Sequence, residues 1–127
     1  MDFARVVQFL KSLEAERVEY VLVGGVAINV HGIVRATQHV DVFIPPDPDN
    51  VNRVKKALRQ LWNDPEIEGI RPEDLAGDYS TIRYGPPGED FVIDLIARLG
   101  EAYSFKDLTA ETVSWEGIRV HVATPET

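Results

Sequence analysis

The sequence predicts one mixed α/β domain, and three patterns point to it. Apolar residues recur at helical spacing in residues 2–16 and 47–62. Short β-branched runs alternate with those segments at 20–23, 39–44 and 91–96. Two further apolar runs, 113–115 and 118–123, are joined by Glu116-Gly117, as in a hairpin with a two-residue turn. A chain of 127 residues is one domain long. A globule of that size buries roughly two-thirds of its unfolded surface and needs no covalent staples.

The elements follow in order. Asp2 is placed to cap the first helix, in which Phe3, Val6, Val7, Leu10 and Leu13 form one stripe. Tyr20-Val21-Leu22-Val23 reads as a strand buried on both faces, ended by Gly24-Gly25. Residues 26–31 then read as a short helix closed by Gly32, with His31 capping its end. In the strand 39–44, the period of two puts His39, Asp41 and Phe43 on one face and Val40, Val42 and Ile44 on the other. Pro45-Pro46 stops it. Asp47 caps a helix with Pro48 at its first position, and Val51, Val54, Leu58 and Leu61 form its core stripe to about Trp62. The acidic segment 63–78 reads as a loop with one helical turn at 73–76. Strands follow at 79–84 and 91–96, separated by the turn Gly85-Pro86-Pro87-Gly88. The order is α-β-α-β-α-β-β, ending in the hairpin, and a helix is expected to start at about Thr124-Pro125. Residues 1–127 are therefore expected to form a single domain, and whether a C-terminal helical region belongs after it is open from the sequence.

Composition excludes several functions. A net charge of −8 argues against nonspecific nucleic-acid binding, which needs surplus Lys and Arg to displace counterions from phosphates. Lys55, Lys56 and Arg59 cluster, but read as a solvated helix face. With no cysteine there is no disulfide framework, thiolate zinc site or thiol nucleophile. The N-terminus is acidic where a secretory leader is basic, and no apolar run is long enough to span a bilayer. A soluble, cytoplasmic protein with no membrane partner is expected.

Three features bear chemistry. Gly24-Gly25, between a buried strand and a helix, would let backbone approach a phosphate, although Gly-Gly is also an ordinary tight turn. Asp41 lies on a strand whose other face is apolar, and Asp94 interrupts Phe91-Val92-Ile93-Asp94-Leu95-Ile96. A carboxylate in either place must meet water, a cation or a partner, because burying it unpaired is expensive. Two such acids downstream of a glycine cradle suit Mg²⁺ near a triphosphate, since hard oxygen ligands are what that ion requires. The two are expected on neighbouring strands, facing one cleft beside the glycines.

The run Gly24-Gly25-Val26-Ala27, His31-Gly32, Arg35-Ala36-Thr37 and Asp41 resembles the signature of the nucleotidyltransferase superfamily. The likeness is strongest to small prokaryotic members of the toxin–antitoxin and abortive-infection type. That signature has Gly-Gly or Gly-Ser at a helix start, Asp-x-Asp on the next strand and a third Asp on a later one. The resemblance covers residues 18–96 and extends through the hairpin. It implies a small central mixed sheet flanked by helices, with Mg²⁺ as cofactor and an NTP as substrate. It further implies that Gly24 and Gly25 contact the β- and γ-phosphates and that Arg35 or Thr37 touches phosphate. Asp41 would be the second carboxylate of Asp-x-Asp. Asp94 would be the third, which in active relatives helps activate the incoming hydroxyl.

The first carboxylate of that signature falls on His39. Imidazole suits Zn²⁺ or other soft ions better than Mg²⁺, and the exchange removes one negative charge from a two-metal clamp. His39 is open to three readings: divergence into a non-catalytic binder, a site retuned for Mn²⁺ or Zn²⁺, or an introduced substitution. Three functions follow. The first is transfer of NMP to a hydroxyl on protein, RNA or a small molecule, with His39, Asp41 and Asp94 as metal ligands. The second is a degenerate nucleotide-binding or antitoxin-like module regulating a protein partner. The third is a structural role in an oligomer, both acids serving in salt bridges.

Overall fold

The computed structural model describes residues 2–30, 38–76, 80–99 and 103–124, with the backbone alone for 28, 29, 99, 103 and 104. Helix α1 spans Phe3–Ala15, and the Asp2 side chain accepts the free N–H groups of Ala4 and Arg5 at 3.0 and 3.3 Å. Strand β1 is Val21–Val23, helix α2 Gly24–Val30, strand β2 His39–Phe43 and helix α3 Pro48–Arg59. Asp47 caps α3 by accepting from the Asn50 N–H at 2.9 Å. Turns of 3₁₀ helix at Pro65–Gly69 and Pro72–Leu75 lead to strand β3, Thr81–Tyr84, and strand β4, Val92–Ile96. A two-stranded ribbon, β5 at Arg98–Leu99 and β6 at Tyr103–Ser104, precedes the hairpin of β7, Ala110–Trp115, and β8, Ile118–Ala123.

The main sheet has six strands in the order β3-β4-β2-β1-β8-β7. It is mixed: β2 pairs parallel with β4 and β1 parallel with β8, and the remaining pairs are antiparallel. Helices α1 and α3 pack on each other and bury Val6, Phe9, Leu10 and Leu13 with Val51, Val54, Ala57 and Leu58. These meet Val40, Val42 and Ile44 of β2 and its extension, and Ile93 and Leu95 of β4, all with no exposed surface. Alternation then turns His39 and Asp41 to the opposite face. The hairpin turn takes positive φ at Glu116 (51°) and Gly117 (80°), as a primed two-residue turn requires.

Several expectations change in detail. The α1 stripe includes Phe9, while Phe3 lies 37% exposed with its ring edge-on to Trp115, because the buried arc centres on positions 6, 9, 10 and 13. In α3 the stripe includes Ala57. Leu61, beyond the helix end, is only partly buried, and Trp62 is buried against Phe9, Tyr84 and Phe91. Helix α2 begins at Gly24, so the glycines form its first turn and not a loop before it. The turn at Pro65–Gly69, capped by Asp64, and the β5–β6 ribbon were not expected from the sequence. Lys55 and Arg59 reach Glu68, so the basic cluster is a solvated face. Among the described residues no helix is long and apolar enough to cross a membrane.

Leu58 is wholly buried, so Leu58→Ala should cost about 2–5 kcal/mol in urea unfolding. Lys56→Ala, on the exposed face of the same helix, should change stability by less than about 0.5 kcal/mol. Equal effects of the two changes would show that the core stripe is misplaced.

Candidate metal and nucleotide site

Four strands line up one row of residues. Arg83 of β3 is paired with Asp94 of β4, Asp94 with Asp41 of β2, and Asp41 with Val23 of β1. Residues paired laterally in a sheet project to one face, so Arg83, Asp94 and Asp41 stand side by side. His39, two residues before Asp41, shares that face. His39, Asp41 and Asp94 each offer a ligand atom, all within 4.8 Å of one another.

Gly24 follows Val23 and closes over this row. An added Cβ there would lie 2.2 Å from Asp41 Oδ2 and 3.1 Å from its Cγ, an impossible approach. Its φ of +72° is in the left-handed region, which independently favours glycine. The glycine is therefore required by the carboxylate beneath it, and the cradle and Asp41 form one structural unit.

Asp94 is the most heavily bonded of the acids. Arg83 donates from Nε to Oδ1 at 2.9 Å and from Nη2 to Oδ2 at 3.4 Å, a side-on fork. His39 Nδ1 lies 3.1 Å from Oδ2. Burial raises the Asp94 carboxyl, but the Arg83 and His39 hydrogen bonds outweigh it and hold the group below the usual carboxylate range. Asp41 goes the other way. Burial, then the charge of Asp94 and a hydrogen bond shared with it, push Asp41 up to about 6, and His39 and Arg83 only partly offset this. Two adjacent acids thus have their affinities for protons driven apart, a pattern concentrated at functional sites.

The structure brings together Gly24, His39, Asp41 and Asp94 of the residues singled out in the sequence, with Gly25 in the next position. Arg35, Thr37 and His31 lie outside the described residues. Arg83 was missed by sequence reasoning. Its only signal was its place in a short strand, and nothing local indicates which strand will lie beside it. A separate pocket past the ends of β2 and β4, lined by Pro45, Pro46, Ala97 and Arg98 among others, includes none of the candidate residues.

No protein-family profile matches the chain, and no curated protein matches it. Among solved structures, it is similar to a Thermotoga maritima protein provisionally described as a nucleotidyltransferase. The TM-score is 0.66 at 11% identity, over 98% of this chain and 79% of that one. At that identity the likeness is one of fold. The chain has an α+β, nucleotidyltransferase-like fold with a six-stranded mixed sheet flanked by helices.

Two outcomes follow from the Gly24–Asp41 contact and from the burial of Asp41. Gly24→Ala should lose roughly 1–2 kcal/mol from backbone strain alone, and more from overlap with the carboxylate. Adding Asp41→Ala should recover only the overlap, and chemical denaturation of the single and double variants measures both parts. Asp41→Asn should raise the melting temperature at pH 7–8 by a few degrees. A folded-state value near 6 against the ordinary 3.8 means the folded form binds the extra proton. The stability linked to that proton is complete below 3.8 and lost as pH rises through about 6. The advantage of Asp41→Asn should therefore shrink toward pH 4, and a gap independent of pH in thermal melts would refute it.

Proposed function

We propose that the chain works as one nucleotidyltransferase-like domain that binds a nucleoside triphosphate with a divalent cation and moves its NMP to a hydroxyl acceptor. One observation carries the reading: Asp41 and Asp94 stand side by side on parallel neighbouring strands, under a glycine whose replacement would clash with Asp41 and strain the backbone. The donor set fits a cation. Two carboxylates and an imidazole lie within mutual reach, and burial first, then the charge of Asp94, make an unpaired Asp41 carboxylate costly, a cost that a bound cation would reduce. Asp41, Asp94 and His39 would hold the ion, which supplies neutralisation of phosphate charge when bound. Gly24 and Gly25 would face the phosphates, with Arg35 and Thr37 as further phosphate contacts. Asp94, held ionised by Arg83, would orient the acceptor hydroxyl. With one imidazole among the ligands, Mn²⁺ or Zn²⁺ should serve better than Mg²⁺. The acceptor belongs to the hydroxyls of protein, RNA or small molecules, and the setting is cytoplasmic.

A second reading has its own observation. Arg83 and His39 already bond both oxygens of Asp94, and that internal pairing is what a degenerate, regulatory nucleotide-binding module of the antitoxin kind would keep after losing transfer. Label transfer from an α-labelled NTP separates the two readings.

Calorimetric titration tests the site itself. The natural chain should bind MnATP more tightly than MgATP, and His39→Asp should tighten MgATP about tenfold. Identical affinities of both proteins for both complexes would remove His39 from the site.

A further inference from the structure

Building on the function just proposed, we infer that Arg83 is a fixed counter-ion to Asp94 that limits the group of His39, Asp41 and Asp94 to one divalent cation. The first support is geometric. Both oxygens of Asp94 are engaged, Oδ1 by Arg83 Nε at 2.9 Å and Oδ2 by Arg83 Nη2 at 3.4 Å and His39 Nδ1 at 3.1 Å. Arg83 is also the lateral strand partner of Asp94, so sheet register and not a loop sets its place.

The second support is charge. Among the described residues, His39, Asp41, Asp94 and Arg83 carry two carboxylates against one guanidinium, a single net negative charge while imidazole is neutral. One divalent ion is acceptable beside a polyanionic triphosphate. A second would add positive charge beside the Arg83 guanidinium with no further acid of this group to balance it, and like charges repel. Mg²⁺ and similar ions are commonly held by one or two carboxylates plus substrate phosphates, so a single ion on this group is adequately mounted.

The third support is access. The Arg83 side chain is 63% exposed and that of Asp94 only 9%, so the guanidinium covers the acid from the solvent side. Among the described residues the ion pairs of this sheet face end on Asp94, and Asp41 takes part in none of those shown. Asp41 is therefore the carboxylate with uncompensated charge. Arg83 acts through Asp94, as a positioning residue that sets how many ions the cleft accepts.

The test counts metal ions directly. The full chain, Arg83→Gln and Arg83→Lys are titrated with Mn²⁺ in the presence of a non-hydrolysable ATP analogue. Electron paramagnetic resonance counts bound Mn²⁺, calorimetry gives its affinity, and circular dichroism confirms that each variant is folded. The natural chain should bind one ion. Arg83→Gln should bind a second, or hold the single ion at least about tenfold more tightly. Arg83→Lys, which keeps the positive charge, should behave like the natural chain. The inference is overturned if the natural chain binds two ions or if Arg83→Gln changes neither count nor affinity. It is equally overturned if Arg83→Gln loses the analogue at an unchanged ion count, which would make Arg83 a phosphate ligand. If neither protein binds Mn²⁺, the metal-site reading fails first and takes this inference with it. The natural chain binding Mn²⁺ while Arg83→Gln behaves identically overturns this inference alone.

Discussion

Two carboxylates held side by side on parallel neighbouring strands repel each other, and the surrounding structure is arranged around that cost. Asp41 and Asp94 are register partners, so neither can move away without moving its strand. Burial first and the charge of Asp94 second raise the proton affinity of Asp41, whereas the Arg83 and His39 hydrogen bonds overcome burial and lower that of Asp94. Arg83 and His39 compensate one acid of the pair, and Gly24 makes room for the other. A cluster of this kind weakens a domain and persists where its function requires it.

The opposite face of the sheet makes that arrangement possible. Val40, Val42 and Ile44 are wholly buried beneath α1 and α3, and a one-residue slip of β2 would put all three in water. The core therefore fixes register, and register fixes that His39 and Asp41 project to the sheet face opposite α1 and α3. At the far end of the strand, the Ile44 N–H continues the β4 ladder by bonding the Ile96 carbonyl at 2.8 Å. Buried Asn50 then ties the chain after β2 to the chain before β1, through the Pro45 carbonyl and both backbone groups of Glu19. The carboxylate row is thus held by packing and ladder bonds at some distance from it.

Much of this was legible from local pattern. Asp2 and Asp47 announce their helices as caps, and the period of two in β2 sorts acids from core residues before any fold is known. Asp94 stands out because an acid in an apolar strand needs a partner. What was not legible depends on which strands become neighbours. Arg83 looks like any exposed strand residue until β3 lies beside β4, and Gly24 looks like a turn glycine until Asp41 is beneath it. Phe9 was missed for a smaller reason: a helical stripe is broader than any one choice of i, i+3 and i+4 positions. The ribbon at 98–99 and 103–104 is too short to produce a periodic signal.

His39 and Arg83 make most sense together. Relative to a site with three acids, an imidazole at position 39 removes one negative charge and a guanidinium at position 83 adds one positive charge. Both side chains bond the same acid, Asp94. Jointly they leave one uncompensated carboxylate, Asp41, next to the backbone of Gly24. Restoring an acid at position 39 would remove only one of the two compensations, because Arg83 would still occupy Asp94. Changing positions 39 and 83 together would lift both compensations at once. Their effects on metal binding should be non-additive, since residues sharing one partner couple energetically.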